Sequence, residues 1–278
     1  MTSSLDTNLQ ALVSIHSLTH AQSALQVTEK RVSTGYNVAD ALDNGAIYAI
    51  AQSILNSNAG LAAVNSQLNG ASGLTVVANA ALTQVSDLMT QVTSVLTQLS
   101  DQSISSDTRA QLATQYTNLL SSINTDLTTA GYQGTNLLNT SGTVGVIQDV
   151  LANQFVLPGQ ASTVGQVVAN LSVAQATSVT SAGAFLLNTF MTELNLVATS
   201  LNTVGYLNQS IRSIVQYNTN VSAAQTEGLG ALVDANLPAE STRLRSHQIT
   251  TQLAAQTLSI VNHSPASLLS LFSDKPAS

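Results

Sequence analysis

The feature that most constrains this chain is a run of apolar residues at alternating three- and four-residue spacing within 47–99. Fourteen of the sixteen positions that this spacing selects are apolar, whereas the overall hydrophobic fraction of 44% would give roughly seven. Such a sustained repeat indicates a long helix whose apolar seam packs against partner helices in a left-handed supercoil. The sixteen positions are Ile47, Ile50, Ile54, Ser57, Leu61, Val64, Leu68, Ala71, Thr75, Ala78, Leu82, Val85, Met89, Val92, Leu96 and Leu99.

A second run of the same period lies in the C-terminal half of the chain. It begins at Phe190, passes through Asn208 and fades toward Leu229. We therefore predict a mainly α fold, in which long helices from the N- and C-terminal halves form an antiparallel coiled coil. The side chains predicted to form this intrasubunit seam are Ile47, Ile54, Leu61, Leu68, Leu82, Met89, Leu96, Leu194, Leu201 and Ile211.

Further helices are predicted near both ends of the chain, and a glycine-rich stretch without helical periodicity separates the two long runs. Within that stretch, Val144–Ile147 and Gln154–Leu157 predict a small β-hairpin with loops at the distal end, too short to hold a core of its own. The predicted division has terminal helices at 1–40 and 237–278, a coiled-coil domain at 41–138 and 184–236, and a variable insertion at 139–183.

The composition excludes several classes of function. Only 8% of the residues are charged, the net charge is −7, and seven Lys and Arg residues can neutralise few phosphates, so no nucleic-acid partner is expected. No basic amphipathic helix and no run of eighteen apolar residues occurs, so no membrane partner is expected. Met1 to Gln10 lacks the charged and apolar regions of a signal peptide, and we expect none to be cleaved.

The candidate chemical motifs are weak. His16 and His20 have the i, i+4 spacing of metal ligands on a helix, but Ser17 stands where a catalytic glutamate would be, and the sequence has no cysteine. Gly228-Leu229-Gly230 lacks the third glycine and the preceding strand of a dinucleotide-binding loop. We therefore predict a protein that is not an enzyme and that has no metal, no cofactor and no catalytic residues.

Five segments, in order along the chain, resemble the sequence pattern of bacterial flagellins, especially the short flagellins of alphaproteobacteria. Leu5-Asp6-Thr7-Asn8 is similar to the opening of that family, and the tail around Leu268–Phe272 fits its end, although this chain runs on to Ser278. The other matching segments are Arg31-Val32-Ser33-Thr34-Gly35 with Asp43-Asn44-Gly45-Ala46, Gly131–Leu138, and Val233–Leu237 with Ala239-Glu240-Ser241.

The resemblance implies a structural subunit that polymerises into the bacterial flagellar filament, outside the cell, for swimming motility. It further implies unfolded export by the flagellar type III route, with an export chaperone, a filament cap, hook-associated proteins and other flagellins as partners. The terminal helices would line the filament lumen and the insertion would face outward. The side chains expected at the subunit interface are Leu5, Leu9, Leu12, Leu18, Leu25, Leu253, Leu258, Leu268, Leu271 and Phe272.

Two alternatives remain open at this point. The hook–filament junction protein shares the terminal pattern of the flagellins, and a monomeric coiled-coil binding module would explain the heptads without the terminal motifs. The Ser- and Thr-rich insertion is interpreted either as a site of O-linked glycans or as a solvated loop. In flagellins sensed by the vertebrate innate receptor, charged residues occupy the positions of Gln91, Thr93 and Ser94, so we expect this chain to be poorly sensed.

Overall fold

The computed structural model describes residues 8–171 and 179–273, and side chains within them except those of 179–181, 187 and 264–273. The fold is mainly α, as predicted. Its elements are α1 (Leu9–Thr34), α2 (Ala41–Leu99), α3 (Ser106–Thr129), β1 (Thr143–Ile147), β2 (Gln154–Pro158), α4 (Ala161–Asn170), α5 (Val179–Phe185), a π-helical turn (Leu186–Phe190), α6 (Met191–Val233) and α7 (Leu237–Ser273).

The chain divides into two compact units. The terminal unit comprises Met1–Asn56 and Ala224–Ser278, and the central unit comprises Ser57–Ala223. The N- and C-terminal parts of the sequence therefore come together in one unit, while the middle of the sequence folds as the other.

In the terminal unit, α1 and α7 pack side by side in opposite directions. Asn8 caps α1 by accepting from the Ala11 amide at 3.0 Å, and its Nδ2 donates to the Val261 carbonyl at 3.2 Å. At the other end of α1, Arg31 lies beside Glu240, near the start of α7. The helix stops at Gly35, whose φ of 75° is a left-handed conformation that glycine adopts without steric cost.

The segment after α1 returns along the end of α6. The Asn37 amide donates to the Val233 carbonyl at 2.7 Å, and the Ala235 amide donates to the Gly35 carbonyl at 2.9 Å. Val38, Ala51 and Val233 form a small buried cluster there. Asn44 has a non-helical conformation (φ −162°, ψ 101°) inside α2, so the first turn of that helix is separated from the rest by a kink.

The core of the central unit is the seam between α2 and α6. Asn65 pairs with Asn218, whereas Thr75, further along α2, pairs with Asn208, earlier in α6, so the two helices run antiparallel. Arg109 near the start of α3 donates to the carbonyls of Leu99 and Asp101, and α3 adds its own buried face to the same core. The buried side chains of α3 are Leu112, Tyr116, Ile123 and Leu127.

The predicted insertion contains the β-hairpin, with Thr143 opposite Pro158 and Ile147 opposite Gln154 in antiparallel register. It also contains α4, which the sequence analysis did not predict, while residues 172–178 lie outside the described part of the chain. Val164 and Val167 of α4 are buried in the core of the central unit, as is Leu157 of β2. The β-hairpin and α4 thus contribute apolar surface to the core of the central unit.

Candidate assembly surfaces

The face between α1 and α7 is built from small side chains. The buried residues of α1 are Ala11, Ala21 and Thr28, and the Thr28 hydroxyl donates to the Ala24 carbonyl of its own helix at 2.9 Å. Small residues at a helix–helix contact allow the two backbones to approach closely, but they remove little apolar area from water. The pair therefore gains only modest stability from its own interface.

Eight large aliphatic side chains in the described parts of the same two helices are exposed. Leu9, Leu12 and Leu253 are 69%, 56% and 56% exposed. Further exposed aliphatic residues on these helices, which the predicted interface did not include, are Val13, Ile15, Val27, Ile249 and Ile260. Because large exposed apolar surfaces often mark protein–protein contacts, eight exposed aliphatic side chains on one helix pair indicate a surface that packs against another protein.

The other predicted interface residues are less exposed, or their side chains lie outside the part of the chain that the structure describes. Leu18, Leu25 and Leu258 are intermediate in exposure. Leu5 lies outside the described residues, and so do the side chains of Leu268, Leu271 and Phe272. Among the predicted seam residues, Ile47, Ile54, Leu194 and Leu201 are intermediate, and those that are buried are Leu61, Leu68, Leu82, Met89, Leu96 and Ile211.

A second apolar feature lies on α6 of the central unit. Tyr206 and Tyr217 are 69% and 67% exposed. Eleven residues correspond to about three turns of an α-helix, so the two rings lie on one stripe of α6. They fall outside the a/d positions of the heptad pattern. The signal available in the sequence was two tyrosines eleven residues apart in a chain with only 4% aromatics.

Ion pairs join six charged residues of the terminal unit. Arg243 Nη1 is 2.6 Å from Glu240 Oε1, and Arg31 Nη1 is 3.7 Å from the same oxygen, which lies on a side chain that is largely buried. Lys30 Nζ is 2.7 Å from Asp40 Oδ2 and 2.8 Å from Asp43 Oδ1. Hydrogen bonds with these carboxylates raise the pKa of Lys30, and the same bonds lower the pKa of Asp40 and of Asp43.

The two histidines with metal-ligand spacing, His16 and His20, are both exposed on α1. Within residues 8–171 and 179–273, no three His, Asp or Glu side chains lie together as a metal site would require. Nor does any helix in those ranges have the length and apolar character needed to cross a membrane.

Gln91, Thr93 and Ser94, the uncharged residues expected to weaken sensing by the innate receptor, lie on α2. Gln91 and Ser94 are exposed, and the hydroxyl of Thr93 donates to the Met89 carbonyl at 2.9 Å. Their uncharged side chains are thus presented on the surface of the central unit, with the Thr93 hydroxyl turned back onto its own helix.

Comparison with known proteins gives a consistent result. The sequence model of the bacterial flagellin N-terminal helical region matches residues 5–143. A flagellin of Brucella melitensis is 30% identical over 97% of this chain and 99% of its own length. Flagellin FljK of Caulobacter vibrioides is 28% identical over 97% of this chain and 98% of its own. The crystal structure of Bacillus cereus flagellin has a similar fold, with a TM-score of 0.50 and 16% identity over 58% of this chain and 94% of that one.

Proposed function

Because the chain belongs to the bacterial flagellin family, we propose that it works as the structural subunit of a flagellar filament and that α1 and α7 hold the filament together. In a filament, the exposed aliphatic side chains of these helices would pack against those of neighbouring subunits. The long α2–α6 seam would maintain the fold of each subunit. This assignment makes the protein a component of motility and not an enzyme.

The observation that carries this proposal is that the buried side chains of α1 are small, whereas large aliphatic side chains of α1 and α7 are exposed. Ala11 and Ala21 are buried in the pair, while Leu9, Leu12, Leu253 and five further large aliphatic side chains are exposed. Fully burying one such aliphatic side chain stabilises an assembly by roughly 1.5–3 kcal/mol, so eight of them per subunit supply a large driving force. Repeated over a helical lattice, this contact is sufficient to order helices that gain little as an isolated pair.

The proposed interface comprises apolar side chains of both terminal helices. It includes the side chains beyond the described residues, because the 3.6-residue period extends into them. The proposed set is Leu5, Leu9, Leu12, Leu18, Leu25, Leu253, Leu258, Leu268, Leu271 and Phe272. The proposed intrasubunit seam is Ile47, Ile54, Leu61, Leu68, Leu82, Met89, Leu96, Leu194, Leu201 and Ile211.

We further propose that the chain is exported by the flagellar type III route without a cleaved leader and acts outside the cell. An export chaperone would cover the aliphatic faces of the terminal helices before export, and a cap would guide folding at the tip of the filament. Caulobacter vibrioides has several relatives of this chain, among them FljK, FljM and FljO, which supports the proposal that more than one flagellin shares a filament.

The test is seeded growth. Purified chain is added to short filament fragments, and elongation is followed by electron microscopy while circular dichroism reports the helix content. A filament subunit adds to the seeds in proportion to its concentration and gains helix as it does so. A chain that caps the seeds without elongating them would instead be a junction protein, and a helical monomer that ignores the seeds would be a separate binding module.

A further inference from the structure

The chain contains two Asn-Gly dipeptides, Asn44-Gly45 and Asn69-Gly70, which lie in different backbone environments. In such a pair, the backbone nitrogen of glycine attacks the side-chain carbonyl carbon of asparagine with little obstruction, because glycine has no Cβ. Whether this reaction proceeds in a folded protein depends on whether the glycine nitrogen is free to approach that carbon.

Asn44 is exposed and has a non-helical backbone conformation, with φ −162° and ψ 101°. Its Oδ1 accepts hydrogen bonds from the amides of Ala46 and Ile47, both at 3.1 Å, so Asn44 serves as the N-cap of the main part of α2. Gly45 is therefore the first residue after a cap, where a backbone N–H has no intrahelical acceptor.

The same two amides also favour the chemistry. They are directed at Oδ1, the oxygen on which negative charge develops when a nucleophile adds to the side-chain carbonyl of Asn44. Donors already placed at such an oxygen stabilise the tetrahedral intermediate without reorganisation. The kink thus places the Gly45 nitrogen at the first position after a cap, next to donors that stabilise the oxyanion.

Asn69 is the natural comparison, because it is also exposed and is also followed by glycine. It lies in the interior of α2, far from either end, where each backbone N–H donates to the carbonyl four residues earlier. Because the Gly70 N–H takes part in that helical hydrogen bond, its nitrogen can attack Asn69 only after the helix opens locally.

We propose that Asn44 is a site of spontaneous deamidation in the folded protein and that Asn69 is protected. The Gly45 nitrogen forms a bond to Asn44 Cγ, the bond from Cγ to Nδ2 breaks, and ammonia leaves with the proton from the Gly45 amide. Water then adds to one of the two carbonyls of the resulting succinimide and opens the ring. The product is aspartate at position 44, or isoaspartate if the ring opens at the backbone carbonyl.

Either product changes the start of α2. A new carboxylate at position 44 joins Asp40 and Asp43, whose negative charges are paired with the single cation of Lys30. Aspartate still serves as an N-cap, but isoaspartate lengthens the backbone by one carbon and removes the cap geometry. Deamidation therefore loosens the kink of the terminal unit progressively with the age of the subunit.

The experiment incubates the purified full-length chain at mildly alkaline pH and follows both peptides by mass spectrometry, with isoaspartate detected by enzymatic methyl labelling. The same chain in denaturant gives the unprotected rate at each position. We expect the folded protein to deamidate at Asn44 at least about tenfold faster than at Asn69, since Asn69 must await helix opening. Equal rates in the folded protein, or protection at Asn44 as strong as at Asn69, would overturn the proposal.

Two matched variants complete the test. Among the described residues, nothing lies within 4 Å of a Cβ added at Gly45 or at Gly70, so both Gly45→Ala and Gly70→Ala fit the structure. Gly45→Ala is expected to abolish most of the reaction at Asn44, whereas Gly70→Ala leaves it unchanged. An unaltered rate at Asn44 in the Gly45→Ala variant, with normal helix content, would contradict attack by the backbone nitrogen.

Discussion

Asn208 on α6 donates from Nδ2 to Thr75 Oγ1 on α2 at 2.7 Å, across the core of the central unit. Thr75 is fully buried, and the same Nδ2 also lies 3.1 Å from Ser72 Oγ. Both residues occupy polar positions in otherwise apolar repeats. A buried polar pair of this kind is best satisfied in one register, so it fixes the alignment of the two helices.

A double-mutant cycle on this pair measures its contribution. Asn208→Ala is expected to destabilise the chain by about 1–2 kcal/mol, because Thr75 Oγ1 loses a donor inside the core. Combined with Thr75→Val, the two changes should be less than additive, with a coupling of about 1 kcal/mol measured by denaturant unfolding. Additive effects would mean that the hydrogen bond does not stabilise the seam.

The glycines of α2 are predicted to differ in their response to alanine. A Cβ at Gly73 would lie 2.7 Å from Cζ of Tyr132, whereas nothing in the described residues lies within 4 Å of one at Gly70. Gly70→Ala should therefore raise the free energy of unfolding by about 1 kcal/mol through helix propensity alone. Gly73→Ala should gain much less, because the ring of Tyr132 must move to admit the new methyl group. In a Tyr132→Ala background, Gly73→Ala should again raise the free energy of unfolding by about 1 kcal/mol.

Tyr116 connects α3 to the end of α4. Its hydroxyl donates to the Leu171 carbonyl at 3.0 Å, and burial raises the pKa of this phenol far above its ordinary value. Tyr116→Phe keeps the ring but leaves the carbonyl without this donor, which should destabilise the central unit by about 1–2 kcal/mol. Hydrogen exchange is the sensitive measurement. We expect Tyr116→Phe to accelerate exchange more in α4 than in α2, and equal acceleration in both helices would argue against a local connection.

The stability of the kink should depend on pH through the ion pairs of Lys30 with Asp40 and Asp43. The pKa values of Asp40 and Asp43 are lowered, so their contribution is present at neutral pH and is lost as pH falls below about 4, through their folded-state pKa values. The pKa of Lys30 is raised, so its contribution persists at neutral pH and is lost at strongly alkaline pH.

The measurement is hydrogen exchange at the amides of Ala39 and Leu42, which donate to these carboxylates. Lys30→Met should accelerate their exchange at neutral pH and make little difference in acid, where both carboxylates are protonated. Lys30→Arg serves as a control that keeps the charge. An equal effect of Lys30→Met at every pH would contradict an electrostatic origin.

The sequence predicted the helical fold because an apolar period of 3.5 residues has few other structural solutions. It marked Thr75 and Asn208 as polar interruptions, but the period alone does not determine which positions meet across a seam. The period also gives no sign that Gly73 makes room for the ring of Tyr132. The helix α4 was missed because its ten residues are too few for periodicity to distinguish a helix from a loop rich in valine.

The candidate surface was harder to predict than the fold. Leu9, Leu12 and Leu253 were selected by period and by resemblance, yet periodicity cannot say whether an apolar stripe faces its own chain or another. That distinction depends on Ala11 and Ala21, which occupy the contact between α1 and α7 and leave the larger side chains outside. Val13 and Ile260 were missed because they lie beside the selected heptad positions.

Seeded elongation by the Leu253→Asp variant tests the central claim most directly. Leu253 is 56% exposed, so the charge is tolerated in the free subunit, but it would be buried without a partner between subunits. We expect elongation to fall by more than about tenfold, with Gln115→Asp, a charge added at an exposed position of α3, elongating normally. Filament growth by Leu253→Asp at the unmodified rate would show that this face of α7 does not hold the filament together.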